Sequence, residues 1–95
     1  MSETTVRNEY TKVRNQTVKL DVYEEIQGEY IELKEGEYIE LILSIRGRNM
    51  TLRYHSDSKE GKILKDELRD IERGSKIGIL QTDLNDRPIC IRDVK

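Results

Sequence analysis

The residues best suited to chemistry in this chain are three arginines, Arg46, Arg48 and Arg53. They lie close together along the chain, near its single histidine, His55. A guanidinium pairs with phosphate oxygens and stacks on flat rings, so these residue types favour an anionic or aromatic ligand. The formal net charge is −2 and acidic residues dominate positions 21–40, so any positive patch is local. This balance argues against a uniformly basic nucleic-acid coat protein and leaves room for a basic patch.

No side-chain pattern typical of an enzyme appears in the sequence. Cys90 is the only cysteine and no sequence feature places His55 beside it as a base, so we expect a structural thiol. A metal centre would need further ligands at suitable spacing around His55, and the sequence offers none. Four glutamates alternate along predicted strands and are expected to face solvent rather than form a catalytic pair: Glu29, Glu32, Glu37 and Glu40. We therefore expect no enzymatic activity, no cofactor and no metal.

A tandem repeat occupies the centre of the chain and must position these side chains. The hexapeptide GEYIEL spans residues 28–33 and again residues 36–41. Apolar and polar residues alternate in both copies, which is the period of a strand rather than of a helix. The second copy continues to residue 46 and ends at Gly47, a residue suited to a tight hairpin turn. The two copies are predicted to be paired strands.

The alternation also assigns faces to the hairpin that follows. The inward face of the strand at 37–46 and of the returning strand at 50–55 is predicted to be core: Ile39, Leu41, Leu43, Ile45, Met50, Leu52 and Tyr54. The outward face carries the remaining side chains: Tyr38, Glu40, Ile42, Ser44, Arg46, Thr51, Arg53 and His55. Arg48 is predicted to stand at the tip of this hairpin.

The segment before the repeat leaves two interpretations open. Alternation begins at Thr17 and is either one long strand, bent near Gly28, or two separate strands. Residues 1–16 are polar and are predicted to be an N-terminal arm or a short helix.

After the hairpin the period changes to that of a helix. Leu64, Leu68 and Ile71 are spaced i, i+4 and i+7, which predicts an amphipathic helix over 62–73. Asp57 followed by Glu60 resembles a capping box, and Gly74 is a natural stop. Strands are predicted at 76–82 and 89–94, with a turn-rich loop between them.

This order of elements resembles the OB-fold, a mainly β, five-stranded Greek-key barrel, here with one α-helix between strands 3 and 4. The resemblance covers residues 17–94 and depends on element order and alternation. An SH3-like or Sm-like barrel is the alternative, although such barrels usually lack a helix of this length at that position. The expected organisation is an arm at 1–16 and one OB-like barrel domain at 17–95.

The resemblance implies a small module that binds single-stranded DNA or RNA. In an OB-fold the ligand lies on the outer face of strands 2 and 3, beside the loops that join strands 1–2 and 4–5. Transferred to this chain, the implied site is the 37–55 hairpin with one residue of the late loop: Tyr38, Arg46, Arg48, Arg53, His55 and Arg87. The face departs from the usual pattern, because Tyr38 is its one expected aromatic and Glu40 opposes phosphate.

A protein-interaction or homo-oligomerisation module is the alternative function. Ile42 is predicted to lie exposed among polar neighbours, where it could seed a contact with another protein or a second copy of the chain. The sequence has neither an apolar N-terminal segment of secretory type nor a long apolar run. We therefore expect a cytoplasmic protein without membrane contact.

Overall fold

The computed structural model describes residues 15–94, which form a six-stranded sheet and an α-helix. The elements are β1 (Asn15–Val18), β2 (Glu25–Lys34), β3 (Tyr38–Ile45), β4 (Arg48–His55), α1 (Lys59–Leu68), β5 (Lys76–Gln81) and β6 (Ile89–Asp93). The predicted mainly β class, with a helix between the hairpin and the last two strands, is confirmed. The arm or short helix predicted over 1–16 lies outside the described residues, apart from the first two positions of β1.

The strands follow the order β1-β4-β3-β2-β5-β6 across the sheet. The edge strand β1 runs parallel to β4, and every other neighbouring pair is antiparallel. Strands β2, β3 and β4 are consecutive, and β5 returns after the helix to lie beside β2. This is the spatial order of a Greek key.

The prediction of a closed five-stranded barrel is wrong in two respects. The sheet has six strands and is open, with β1 at one edge and β6 at the other. The extra strand arises because the alternating segment that begins at Thr17 is two strands, separated by a turn. In this turn the amide of Glu24 donates to the carbonyl of Asp21 at 2.9 Å, and Tyr23 has a φ of 64°. The left-handed backbone at Tyr23 ends the extended chain there.

The two copies of the repeat pair as predicted, but they are not equivalent. Strands β2 and β3 are antiparallel, with Tyr30 opposite Leu43 and Leu33 opposite Leu41. The register shifts between Tyr30 and Glu32, which marks a bulge in the first copy. Tyr30 is consequently 6% exposed, whereas Tyr38, the matching residue of the second copy, is 38% exposed. Only the second copy presents its tyrosine to solvent.

The core lies between α1 and one face of the sheet. Ile39, Leu41 and Leu43 of β3 are fully buried, as the alternation predicts, and Ile45 packs at the edge of the same cluster. The remaining core side chains come from the other elements and from the segment between β1 and β2: Leu20, Tyr30, Leu52, Leu64, Leu68, Ile77, Ile79 and Ile89. Burying each such aliphatic side chain contributes about 1.5–3 kcal/mol, so this shared cluster is the main force holding the helix on the sheet.

The helix begins and ends at positions that differ from the prediction. Its N-cap is Ser58, whose hydroxyl accepts the amide of Gly61 at 3.0 Å, so Asp57 does not cap it. It ends at Leu68 rather than near residue 73, and the amide of Ile71 then donates to the carbonyl of Leu68 at 3.2 Å in a tighter turn. Within residues 15–94 this helix is too short and too polar to cross a membrane.

Candidate binding site

Three of the predicted site residues meet at one end of the β3–β4 hairpin. Tyr38 is the first residue of β3, His55 is the last residue of β4, and the two are directly paired. Their ring centroids are 5.4 Å apart and the planes are inclined at 73°, an edge-on contact. Arg53 lies two positions before His55, on the same face, with its Cζ 3.9 Å from the centre of the Tyr38 ring. Tyr38, Arg53 and His55 are called the Tyr38 cluster below.

A carboxylate holds the arginine of this cluster in place. Glu40 is paired with Arg53 across the strands, and its Oε2 lies 3.4 Å from Arg53 Nε. The Arg53 side chain is 48% exposed, so solvent screens this ion pair and the guanidinium keeps part of its attraction for other anions. Glu40 therefore orients the cation and also competes with any phosphate that approaches it.

The histidine of the cluster is oriented by the backbone that follows it. His55 Nδ1 accepts a hydrogen bond from the amide of Asp57 at 3.1 Å. An imidazole that accepts at Nδ1 carries its proton on Nε2 when neutral. The Nε2 edge of His55 is therefore a hydrogen-bond donor.

The other predicted site residues lie elsewhere. Arg46 lies in the turn at the far end of the hairpin, and Arg48, predicted at the tip, instead begins β4 there; this end is roughly 24 Å from Tyr38 along β3 at the usual rise per residue. Arg87 belongs to the loop between β5 and β6, where it forms an ion pair with Glu67 of α1. The structure thus brings together Tyr38, Arg53 and His55 and leaves Arg46, Arg48 and Arg87 apart from them.

Two residues of the outward face are not exposed. Ile42 and Thr51 form a cross-strand pair at the middle of the hairpin and are 6% and 5% exposed. The exposed apolar surface predicted at Ile42 is therefore absent. Strand alternation determines which side of a sheet a residue faces, but it does not determine whether that side is covered.

An apolar cleft of about 530 Å³ adjoins the Tyr38 cluster. Tyr38 and Arg53 form one wall, and Val18, Leu20 and Val22 of the segment before β2 form another. Val22 is 54% exposed although it is aliphatic, so apolar surface is accessible at the mouth of this cleft. The cluster and the cleft therefore form one continuous site.

Among the polar groups that line the cleft, Lys19 and Arg53 are donors, whereas Tyr54 and Glu60 supply acceptors. The hydroxyl of Tyr54 donates to Gln81 Oε1 at 3.3 Å, and Gln81 Nε2 donates to the carbonyl of Pro88 at 3.1 Å. Burial, and secondarily the charge of Glu60, raises the pKa of Tyr54 to about 12, so the phenol is neutral at physiological pH. With its proton directed to Gln81, the Tyr54 oxygen joins the Glu60 carboxylate in offering lone pairs to a ligand.

Sequence reasoning missed the cleft because its residues come from distant segments. Tyr54 was predicted to be a core residue, Glu60 to belong to the start of the helix, and Gln81 to lie within a strand. Each assignment is locally correct, and no spacing along the chain indicates that the three side chains line one cavity. The exposed aliphatic surface at Val22 is visible only once the sheet is assembled.

The two residues considered for catalysis, Cys90 and His55, do not lie on neighbouring strands. Cys90 is a half-buried free thiol on β6, whereas His55 ends β4, which β3, β2 and β5 separate from β6 in the sheet. Within residues 15–94, no three His, Cys, Asp or Glu side chains are grouped so that they could hold a metal ion.

Comparisons with protein-family models, curated proteins and solved structures find no match to this chain.

Proposed function

We propose that this chain is a single-stranded nucleic-acid-binding domain of OB-like architecture, with the Tyr38 cluster as its base-stacking site. The observation that carries the proposal is the stack of Arg53 over the exposed Tyr38 ring, 3.9 Å from its centre, with His55 edge-on beside it. Tyrosine, arginine and histidine all offer flat surfaces on which bases stack, and each stacked base contributes about 1–3 kcal/mol.

The architecture supports the location of this site. The Greek-key order β5-β2-β3-β4 and the helix between β4 and β5 agree with an OB-like arrangement, which is often only partly closed. In that arrangement β3 and β4 correspond to the second and third strands, whose outer face binds oligonucleotides. Strand β1 is an addition at the edge of β4.

The apolar cleft supports a role for one base beyond simple stacking. Its volume of about 530 Å³ lies in the range of small-molecule sites and exceeds what one planar base requires. Its acceptors, the Tyr54 oxygen and the Glu60 carboxylate, suit an exocyclic amino group, which cytosine, adenine and guanine carry and thymine lacks. We therefore expect strands of thymine alone to bind more weakly than strands that contain the other bases.

Charge limits the affinity of this site. The chain carries a net charge of −2, and Glu40 partly neutralises Arg53. Few phosphates are therefore contacted at the cluster, and binding should be weak and only modestly dependent on salt. Stacking, rather than attraction to the backbone, supplies most of the expected affinity.

A titration with short single-stranded DNA and RNA, followed by NMR shifts of residues 38–55, tests the proposal. Tyr38→Ala should weaken binding about tenfold or more, because it removes a stacked base. Tyr23→Ala is the matched control, since Tyr23 is 61% exposed and lies outside the cluster. Absence of binding, or equal affinities for the two variants, would contradict the proposed site.

A further inference from the structure

A second cleft lies between α1 and the end of β2 and shares no lining residue with the apolar cleft. Its volume is about 400 Å³. Of the residues that the structure describes, three cations line it, Lys65, Arg69 and Arg73, together with a single carboxylate, Glu35. This cleft is called the basic cleft below.

The backbone fixes the positions of the three cations. Lys65 and Arg69 are one helical turn apart, so their side chains share a face of the helix end. Arg73 lies in the following turn, which is tied to β2 by two hydrogen bonds. The amide of Gly74 donates to the carbonyl of Tyr30 at 2.7 Å, and the amide of Tyr30 donates to the carbonyl of Ser75 at 2.8 Å. Gly74 has a φ of +93°, which returns the chain towards the sheet.

The floor of the basic cleft is apolar and belongs to the core. Leu68 is 2% exposed, and Leu33 and Ile71 are half-buried against the same cluster. Groups packed in this way cannot collapse into the cleft without disturbing the core. The cations are therefore held around a permanent depression rather than on a flat surface.

The positive charge of the basic cleft is largely uncompensated within the fold. Among the described residues, Lys65 and Arg73 have no ion-pair partner. Arg69 lies 3.9 Å from Asp66, but both side chains are more than 70% exposed, at 72% and 77%, so this pair contributes little. With Glu35 included, the lining residues among positions 15–94 carry a net charge of +2, whereas the whole chain carries −2. Such a concentration of charge matches a doubly negative ligand.

We propose that the basic cleft binds a phosphate group carrying about two negative charges, as a phosphomonoester or inorganic phosphate does near neutral pH. Arg69 and Arg73 supply forked donors for the phosphate oxygens, and Lys65 supplies a compact positive charge. The proposal does not depend on the function proposed above, because the two sites have no residue in common.

Titration of the whole chain with inorganic phosphate and then pyrophosphate, followed by NMR, tests this inference. Saturable shifts should centre on residues 65–74 and on Glu35. Arg73→Gln and Lys65→Gln should each weaken phosphate binding about tenfold, because each removes a charged hydrogen-bond donor. Glu35→Gln should strengthen it, because the variant removes the one opposing charge of the lining.

Arg48→Gln is the matched control, since Arg48 is an exposed cation outside the basic cleft. It should leave phosphate affinity unchanged, and all four variants should keep the wild-type unfolding midpoint within a few degrees. Equal weakening by Arg48→Gln and Arg73→Gln would overturn the proposal, because it would show only general attraction. Shifts that do not saturate at millimolar phosphate would overturn it as well.

The source of the phosphate is distinguished with matched oligonucleotides. A strand with a 5′-phosphate and the same strand with a 5′-hydroxyl are compared at residues 65–74 in the Tyr38→Ala background. Stronger shifts with the 5′-phosphate would identify the strand terminus as the source. Equal shifts, together with saturable binding of inorganic phosphate, would identify a small phosphorylated molecule. If the stacking site fails its own test, phosphate binding by the basic cleft remains measurable.

Discussion

Glu25 on β2 and Arg92 on β6 form a two-pronged ion pair that crosses over the intervening strand β5. Arg92 Nε donates to Glu25 Oε2 at 2.7 Å, and Arg92 Nη2 donates to Glu25 Oε1 at 3.0 Å. The residue beneath them is Gly78, which is directly paired with Arg92. Because Gly78 has no side chain, the carboxylate and the guanidinium can meet above the strand. This contact ties together three strands of the open sheet.

The ion pair predicts a loss of stability in acid. Hydrogen bonds from Arg92, and then from Gln27, lower the pKa of Glu25 from 4.5 to about 2. A carboxyl group whose pKa is lower in the folded than in the unfolded protein stabilises the fold at pH values above the unfolded pKa. This stabilisation should therefore disappear as the pH falls from about 4.5 to about 2. Glu25→Gln should be less stable than wild type at neutral pH and equally stable near pH 2. Urea unfolding at a series of pH values measures this, and parallel curves for the two proteins would contradict it.

Filling the space beneath the ion pair should also be destabilising. A Cβ at position 78 would stand 2.8 Å from Glu25 Oε2, so Gly78→Ala must displace the carboxylate. We expect a loss of about 1 kcal/mol in the free energy of unfolding. Gly36→Ala is the control, since a Cβ there meets nothing within 4 Å and should be neutral or slightly stabilising. In a Glu25→Ala background the cost of Gly78→Ala should shrink.

Gly61 should resist the substitution that helices normally favour. Alanine is preferred over glycine in a helix by about 1 kcal/mol. At this position a Cβ would overlap the backbone carbonyl oxygen of His55, which cannot move without disturbing β4. We expect Gly61→Ala to reduce the free energy of unfolding by about 2 kcal/mol or more, whereas Lys62→Ala, at the next exposed position, should be close to neutral. Thermal unfolding of the two variants provides the comparison.

Tyr54 predicts a loss of stability in alkali. Burial favours the neutral phenol and raises its pKa from 10.0 to about 12. A group whose pKa is higher in the folded than in the unfolded protein stabilises the fold fully at pH values below the unfolded pKa. This stabilisation should therefore be lost as the pH rises from about 10 to about 12. At neutral pH, the free energy of unfolding of Tyr54→Phe should be about 1 kcal/mol below that of the wild type, because the variant lacks the hydrogen bond to Gln81. Between pH 10 and 12, the variant should lose less of this free energy than the wild type does. Denaturant unfolding at several pH values across this range measures the effect. Equal losses of stability in the two proteins would contradict the prediction.

A substitution at Glu40 should increase oligonucleotide binding by the Tyr38 cluster. Glu40→Gln removes the carboxylate that competes for Arg53, so oligonucleotide affinity should rise several-fold and the salt dependence should steepen by about one unit of slope. Glu37→Gln changes the same charge one residue before Tyr38, without an ion pair to Arg53. If Glu37→Gln raised affinity as much, the effect would come from net charge rather than from release of Arg53. Fluorescence anisotropy at several salt concentrations measures both variants.

Sequence patterns predicted what depends on neighbouring residues. The buried face of β3 followed from strict alternation, because a strand in contact with a core must repeat every second residue. The proximity of Tyr38, Arg53 and His55 followed from the same register, since all three belong to one hairpin. Arg46 was predicted on the same face, but it lies in the hairpin turn with a φ of 55°, at the far end of β3 from Tyr38.

Features that depend on distant segments could not be predicted in this way. The break between β1 and β2 occurs at Tyr23, which takes a positive φ although it is neither Gly nor Asn. The helix stops at Leu68 while its apolar period continues to Ile71, because β2 draws the following turn into hydrogen bonds with Tyr30. The two clefts likewise appear only when separate segments meet. Local propensity was overruled by tertiary contacts in each case.

The position of β2 at the centre of the sheet also determines the order in which its neighbouring strands can pair with it during synthesis. During synthesis β3 and β4 emerge soon after β2 and pair with it in succession, whereas β5 emerges only after the helix. Until then one edge of the nascent β2, from Glu25 to Glu29, exposes unpaired amides and carbonyls. A stalled or truncated chain that lacks β5 would retain this open edge. We expect such chains to aggregate more readily than the complete fold, in which β5 covers this edge.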